Sequence, residues 1–208
     1  MAYDNFTILR STAVPMAIEN VDTDQIIPAR FLKATERKGF GDDLFRDWRY
    51  NSDGSPKADF VLNNPTYSGS AASRGESPRR ILVGGKNFGS GSSREHAAWA
   101  IYDYGFRCVV SSFFADIFKG NCLNVGILPV TISPEFADRI FAAITADPDT
   151  ELEINLPEQI ITLLATDDSE RFDITDYKKH NLVNGYDDID YLLSMKPEIE
   201  VFAKTRPF

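Results

Sequence analysis

The sequence predicts an α/β domain with a central parallel sheet, and three observations carry that prediction. Short runs at Ile81-Leu82-Val83, Arg107-Cys108-Val109-Val110-Ser111 and Gly126-Ile127-Leu128-Pro129-Val130 have the length and apolar, β-branched character of strands. Between them lie two stretches of helical texture, about Ser93 to Tyr104 and Phe114 to Lys119. The links are short. Strand–helix–strand–helix–strand with short links makes neighbouring strands parallel, with right-handed crossovers.

Ahead of this centre, Phe6 to Ala17 alternates loosely, as a strand does. Val21 to Pro28 (Val-Asp-Thr-Asp-Gln-Ile-Ile-Pro) reads as a turn leading into an apolar stretch. Residues 41–78 form a loop-rich insertion with turn signals at Asn51-Ser52-Asp53-Gly54 and Asn63-Asn64-Pro65. Loops this long are usually functional or interfacial, and the aromatic Phe45, Trp48, Tyr50, Phe60 and Tyr67 suggest a surface for a partner. Gly105 is placed to end the first central helix in a left-handed cap, and Gly120-Asn121 to end the second. Ser133-Pro134-Glu135 opens a further helix, with Ser at the N-cap and Pro at the first helical position, running to about Ala146. Leu152–Leu156 and Gln159–Leu164 alternate and are joined by a turn, which predicts a hairpin. Helices over Asp176–Leu182, closed by Asn184-Gly185, and over Asp187–Met195 complete the chain. With no internal repeat, residues 1–208 read as one domain.

Composition excludes several function classes. Lys and Arg number 22 against 31 Asp and Glu, a formal charge of −9, and the only compact basic run is Arg79-Arg80. A general nucleic-acid binder needs a basic stripe to displace counterions from phosphates, so none is expected. No apolar run reaches the ~20 residues of a membrane span. Met1 to Glu19 carries Asp4 and Arg10 and lacks the long apolar stretch of a secretory signal. Cys108 and Cys122 form no metal-spaced pair and cannot hold a four-cysteine cluster. They fit two small buried side chains in a reducing, cytoplasmic setting.

The chemistry concentrates in Gly84-Gly85-Lys86-Asn87-Phe88-Gly89-Ser90-Gly91-Ser92-Ser93-Arg94-Glu95-His96. Four glycines between a strand and a helix let the backbone turn sharply and approach a ligand. The helix start offers unpaired N–H groups and the positive end of a dipole. Arg94 adds a forked donor matched to a carboxylate or phosphate. A P-loop, a dinucleotide fingerprint and a nucleophile elbow are each absent, since Arg94 stands where the fingerprint's third glycine would. Ser92-x-x-Glu95 also reads as a capping box, a role worth ~1 kcal/mol, and a cap and an anion site can coexist.

At these residues the sequence resembles the swivelling domain of the aconitase superfamily, whose signature matches Gly91-Ser92-Ser93-Arg94-Glu95-His96-Ala97. Val21 to Pro28 followed by Phe31-Leu32, Phe40-Gly41 to Trp48-Arg49, Phe60 to Asn63, Phe114 to Val130 and Asn184-Gly185 resemble the small subunits of 3-isopropylmalate dehydratase. The resemblance spans Val21 to about Ile189. It implies a swivelling β/β/α three-layer domain. It also implies a partner large subunit holding a [4Fe-4S] cluster, with no cofactor in this chain. The implied reaction interconverts 2- and 3-isopropylmalate by loss and return of water, in leucine biosynthesis. By the same resemblance Ser92 is the catalytic serine, Ser93 and Arg94 bind the substrate carboxylate, and Arg30, Phe31 and Leu32 lie where the substrate's side chain is read. Asp24 is a substrate-site candidate. On the residues alone, Asp22 and Asp24 fit a site loop or an Asx-turn equally. His96 has a family role or bonds a nearby carbonyl, and Lys86 is an anion contact or a solvated lysine. Phe113 departs from the serine common in relatives, and Ser90 from a cysteine found in some. The alternatives are a small subunit acting on homoaconitate or a methylated malate, and a non-catalytic anion-binding module.

Overall fold

A computed structural model describes residues 3–32, 39–68 and 79–206. Its nine-residue strand β1 (Ile8–Met16) lies in the middle of a seven-stranded sheet. On one side β1 pairs in parallel with β2 (Ile81–Gly84), beyond which lie β3 (Cys108–Ser111) and β4 (Leu128–Thr131), all parallel. On the other side β5 (Glu151–Asn155), β6 (Ile160–Leu163) and β7 (Asp168–Arg171) run antiparallel. The expected parallel sheet is thus one half of a mixed sheet, with the predicted hairpin inside the antiparallel half.

Side-chain patterning explains the two halves. β2 and β3 are buried at every position, because helices cover both faces of a parallel sheet. β5 and β6 alternate between buried and part-exposed positions. Period two splits the core cleanly. Leu82 and Val109 join one apolar cluster, while Ile81, Val83, Cys108 and Val110 join the other. The first cluster receives Ala97 and Ile101 of one helix and Phe118 and Cys122 of the next; the second receives Phe136, Ile140 and Ile144 of a third.

Helix ends largely obey the sequence signals. In chain order, short helical turns α1 (Thr23–Ile26), α2 (Arg46–Arg49) and α3 (Pro65–Ser68) precede α4 (Glu95–Tyr104), which ends on Gly105 at φ 118°. After α5 (Asp116–Asn124) comes α6 (Pro134–Ala146), with Ser133 as its N-cap, accepting from the Phe136 amide. α7 (Asp176–Asn184) ends on Gly185 at φ 66°. Three elements depart from expectation. α5 runs through Gly120 and Asn121, because Phe118 and Cys122, one turn apart, both anchor in the core. β7 carries no apolar residue and pairs by its backbone at the sheet edge. α8 (Asp188–Ser194) is joined by a further helix, α9 (Lys196–Thr205). Among the described residues no helix is long and apolar enough to cross a membrane.

The insertion is not a free flap where it is described. Phe40, Leu44, Phe45 and Leu62 are buried in the first cluster. The buried Arg49 guanidinium donates to the Gly41 and Leu44 carbonyls, each at 3.2 Å. Asp103 of α4 accepts from the amides of Gly39 and Gly41. The aromatic residues expected to face a partner are largely used inside: Phe45 is fully buried and stacks on Trp48 at 5.9 Å, while Phe60 and Tyr67 pack against the core. Residues 69–78 of the predicted loop lie outside the described residues.

Gly120 supplies a test of α5. Its φ is helical and a Cβ there meets nothing within 4 Å. Gly120→Ala should therefore raise the unfolding free energy of the chain by about 0.5–1 kcal/mol, read by denaturant titration.

Candidate active site

The glycine-rich loop leaves β2 at the carboxyl ends of the parallel strands, the usual ligand-binding edge of an α/β sheet. It is held between two segments. Phe88 donates its amide to the Phe113 carbonyl at 3.0 Å and accepts from Ala115 at 3.2 Å. On the other flank, Gly89 and Ser90 both donate to the Val21 carbonyl, at 2.8 and 3.1 Å, and Thr23 donates back to the Ser90 carbonyl at 2.9 Å. The Ser111 hydroxyl ties the end of β3 to the Gly85 carbonyl at 2.7 Å. Gly89 has φ 78°, and a Cβ on it would stand 2.1 Å from the Phe118 ring. Only glycine combines that backbone with that approach.

The expected capping box at Ser92 and Glu95 does not form. α4 begins at Glu95, so its N-cap is Arg94, with extended backbone and no side-chain cap. Glu95 instead accepts from the Trp99 indole at 3.1 Å. Ser92 falls two residues before the N-cap and is exposed. The capping box lies at Asp22: its carboxylate accepts from the Gln25 amide, and the Gln25 side chain accepts from the Asp22 amide, both at 2.8 Å. The sequence Asp22-x-x-Gln25 carries that signal as plainly as Ser92-x-x-Glu95 does.

This capped turn reaches across to the serines. The Thr23 hydroxyl donates to the Ser92 carbonyl at 2.9 Å, and Asp24 forms an ion pair with Arg94. Among the described residues, no acceptor in the chain takes the amide hydrogens of Ser92, Ser93 or Arg94. They lie at the positive end of the ten-residue α4. A cavity of about 270 Å³ opens here. Thr23, Ser92, Arg94 and Asn121 contribute to its polar wall, and Ala115, Ile117 and Phe118 to its apolar wall. Asp116, in the first turn of α5, also lines it. The Arg94 side chain is 18% exposed and that of Asp24 51%, so the pair is worth no more than about 1 kcal/mol and yields readily to a better anion.

The structure therefore brings Ser92, Arg94 and Asp24 together, with the exposed Ser93 beside them and Thr23 as a member that sequence reasoning missed. Arg30 and Phe31 line a different, larger cavity of about 510 Å³ with Arg46, Tyr50 and Lys57. Its cations are already engaged: Arg30 pairs with Asp47, Lys57 donates to the Asp47 carbonyl at 3.0 Å, and Arg46 lies 4.2 Å over the Tyr50 ring. Leu32 packs half-buried against the first cluster, and residues 33–38 lie outside the described residues. The His96 ring sits 4.4 Å from Trp99 and 5.5 Å from Phe40, at the root of α4. Lys86 is exposed.

Among the described residues no three His, Cys, Asp or Glu side chains are grouped to hold a metal ion. Cys108 and Cys122 belong to different core clusters, and burial pushes both thiols well above their ordinary pKa. Two such thiols do not fit an iron–sulfur cluster.

The chain is similar to known proteins along most of its length. Residues 3–135 match the family described as the aconitase C-terminal domain. A 3-isopropylmalate dehydratase small subunit of Cytophaga hutchinsonii is 60% identical over 205 residues, covering 99% of this chain and 97% of that protein. The small subunit of Christiangramia forsetii is 55% identical, covering 98% and 94%. The chain belongs to the aconitase C-terminal domain family, among the 3-isopropylmalate dehydratase small subunits. A crystal structure of 3-isopropylmalate dehydratase from Methanocaldococcus jannaschii superposes with a TM-score of 0.62 at 24% identity, over 96% of this chain and 99% of that one. That likeness shows the fold: a mixed α/β domain of the aconitase C-terminal type.

Gly89 tests the loop as Gly120 tests the helix, with the opposite sign. Gly89→Ala should lower the unfolding free energy by at least about 2 kcal/mol, from left-handed strain and the collision with Phe118. Denaturant titration of the chain reads it.

Proposed function

We propose that this chain is the small subunit of an isopropylmalate isomerase, a hydro-lyase that works with a large subunit. The complex interconverts 2- and 3-isopropylmalate by dehydration and rehydration, a step of leucine biosynthesis. The observation that carries the reading is the Ser92 hydroxyl, exposed and released from helix capping, beside Arg94 and three amides that have no acceptor among the described residues.

Dehydration removes a carbon-bound proton and a hydroxide. In this reading the Ser92 Oγ, as alkoxide, takes the proton. The free amides, the positive end of α4 and the Arg94 charge stabilise that oxyanion. As the proton leaves carbon, its electron pair forms the double bond and hydroxide departs. Water then adds back with proton and hydroxyl positions exchanged. The chain's own donors do not fit a [4Fe-4S] cluster, so help for the departing hydroxide is assigned to the large subunit.

Arg94 grips a substrate carboxylate in exchange for its partly exposed pair with Asp24, and Ser93 adds a hydroxyl donor. Asp24 keeps the guanidinium aimed until substrate arrives. Arg30 and Phe31 line the separate, larger cavity of this chain, so their assignment with Leu32 to the isopropyl end rests on the family resemblance and on the apolar surface that the half-buried Phe31 ring and Leu32 methyls offer. The two unpaired, buried thiols support a cytoplasmic setting.

The test is to monitor interconversion of the two isopropylmalates by NMR, with the chain alone and assembled with its large subunit. The chain alone should be inert and the complex active. Ser92→Ala should cut kcat by roughly 10²–10⁴-fold while assembly and thermal stability stay unchanged. Arg94→Lys should raise KM about tenfold or more, since a point charge cannot replace the fork. Full turnover by the chain alone, or a normal rate for Ser92→Ala, overturns the reading. A preference for a malate with a bulky polar chain would move it to a related hydro-lyase.

A further inference from the structure

We propose that Thr23 is a positioning residue for Ser92. The inference rests on Ser92 acting as the base, and it concerns how a serine on an exposed loop keeps its place. Thr23 is polar yet only 2% exposed, on the short capped turn that faces the glycine loop. Its amide holds the Ser90 carbonyl at 2.9 Å and its hydroxyl holds the Ser92 carbonyl at 2.9 Å. Upstream the loop is fixed by the Gly89 and Ser90 amides on Val21; downstream the chain is fixed from Arg94 onward by Asp24 and α4. Between these anchors, among the described residues, the Ser92–Ser93 peptide has one hydrogen bond, the one from Thr23.

One bond is enough to orient that peptide. The peptide unit is planar and trans, so fixing the direction of its carbonyl fixes the opposed direction of the Ser93 amide. It also fixes the plane from which the Ser92 side chain departs. Gly91, at φ 88°, offers little resistance to rotation of the Ser92 backbone. Without the Thr23 hydroxyl the peptide is free to turn, and Ser92 Oγ loses its aim at the substrate carbon. Asp22 serves the same end indirectly, since its capping box with Gln25 sets the turn on which Thr23 sits.

Two variants separate this role from simple packing. Thr23→Val keeps the branched shape in its buried seat and removes the hydroxyl; Thr23→Ser keeps the hydroxyl and removes a methyl. In the assembled enzyme, Thr23→Val should lower kcat roughly ten- to a hundredfold, the cost of a misplaced reacting group, with KM nearly unchanged. Thr23→Ser should restore most of kcat. In the full chain alone, the Ser93 amide order parameter should fall toward about 0.6 in Thr23→Val and return toward the rigid value of about 0.85 in Thr23→Ser. The Ser92 carbonyl carbon should shift upfield in Thr23→Val only. A normal kcat for Thr23→Val, equal losses in both variants, or a Ser93 order parameter that does not move overturns the inference. If the unaltered chain and its large subunit fail to interconvert isopropylmalates, the functional reading fails instead, and the order parameters still decide whether Thr23 holds the loop.

Discussion

The contact between Gly89 and the Phe118 ring sets where everything else in the site can stand. The loop can descend onto α5 because no Cβ intervenes, and its left-handed backbone at Gly89 turns the chain back toward the segment after β1. From there the amides of Gly89 and Ser90 reach Val21, and Thr23 and Asp24 reach Ser92 and Arg94. A side chain at Gly89 would lift the loop and break each of those links in turn. Phe118 is itself fixed from below, in the first apolar cluster beside Phe88 and Cys122. The geometry of an exposed serine thus traces back to burial in the core.

That dependence explains why the fold was easier to read than the site. β2 and β3 announce themselves because both faces are buried, leaving continuous apolar runs. Ser133-Pro134 and Gly185 mark their helix ends because the physics of caps is local. β7 is silent in the sequence because an edge strand satisfied by its backbone and by polar contacts, such as Glu170 on Ser133, needs no apolar residue. Gly120 misleads because a helix breaker is judged locally, while Phe118 and Cys122 hold the helix from outside.

The site was harder to read for a different reason. Ser92-x-x-Glu95 and Asp22-x-x-Gln25 carry the same capping signature, and the sequence offers no local reason to prefer one. The choice is made by contacts some 70 positions apart: Arg94 is drawn to Asp24 and Ser92 to Thr23, which leaves α4 to start later without a side-chain cap. A hydroxyl that caps a helix has its lone pairs occupied by amides. One released from that duty is available for chemistry. The cost is a weaker helix start, about 1 kcal/mol, taken up by the buried face of α4.

Charge imposes the last constraint. In the proposed reading a chain of formal charge −9 receives a dicarboxylate at Arg94. The long-range field of that excess is screened beyond about 10 Å at ordinary ionic strength, so local arrangement decides. Asp22 is occupied by its cap and Asp24 by Arg94, which removes those two carboxylates from direct competition and leaves Asp116 on the cavity wall. Because the Arg94–Asp24 pair is partly exposed, it holds the guanidinium in place at low energetic cost and surrenders it without a large penalty. An isolated buried arginine would lack that holder, and a buried ion pair would resist the exchange. On the proposed reading, the partly exposed pair is the arrangement that lets an acidic protein keep a cation ready for an acidic substrate.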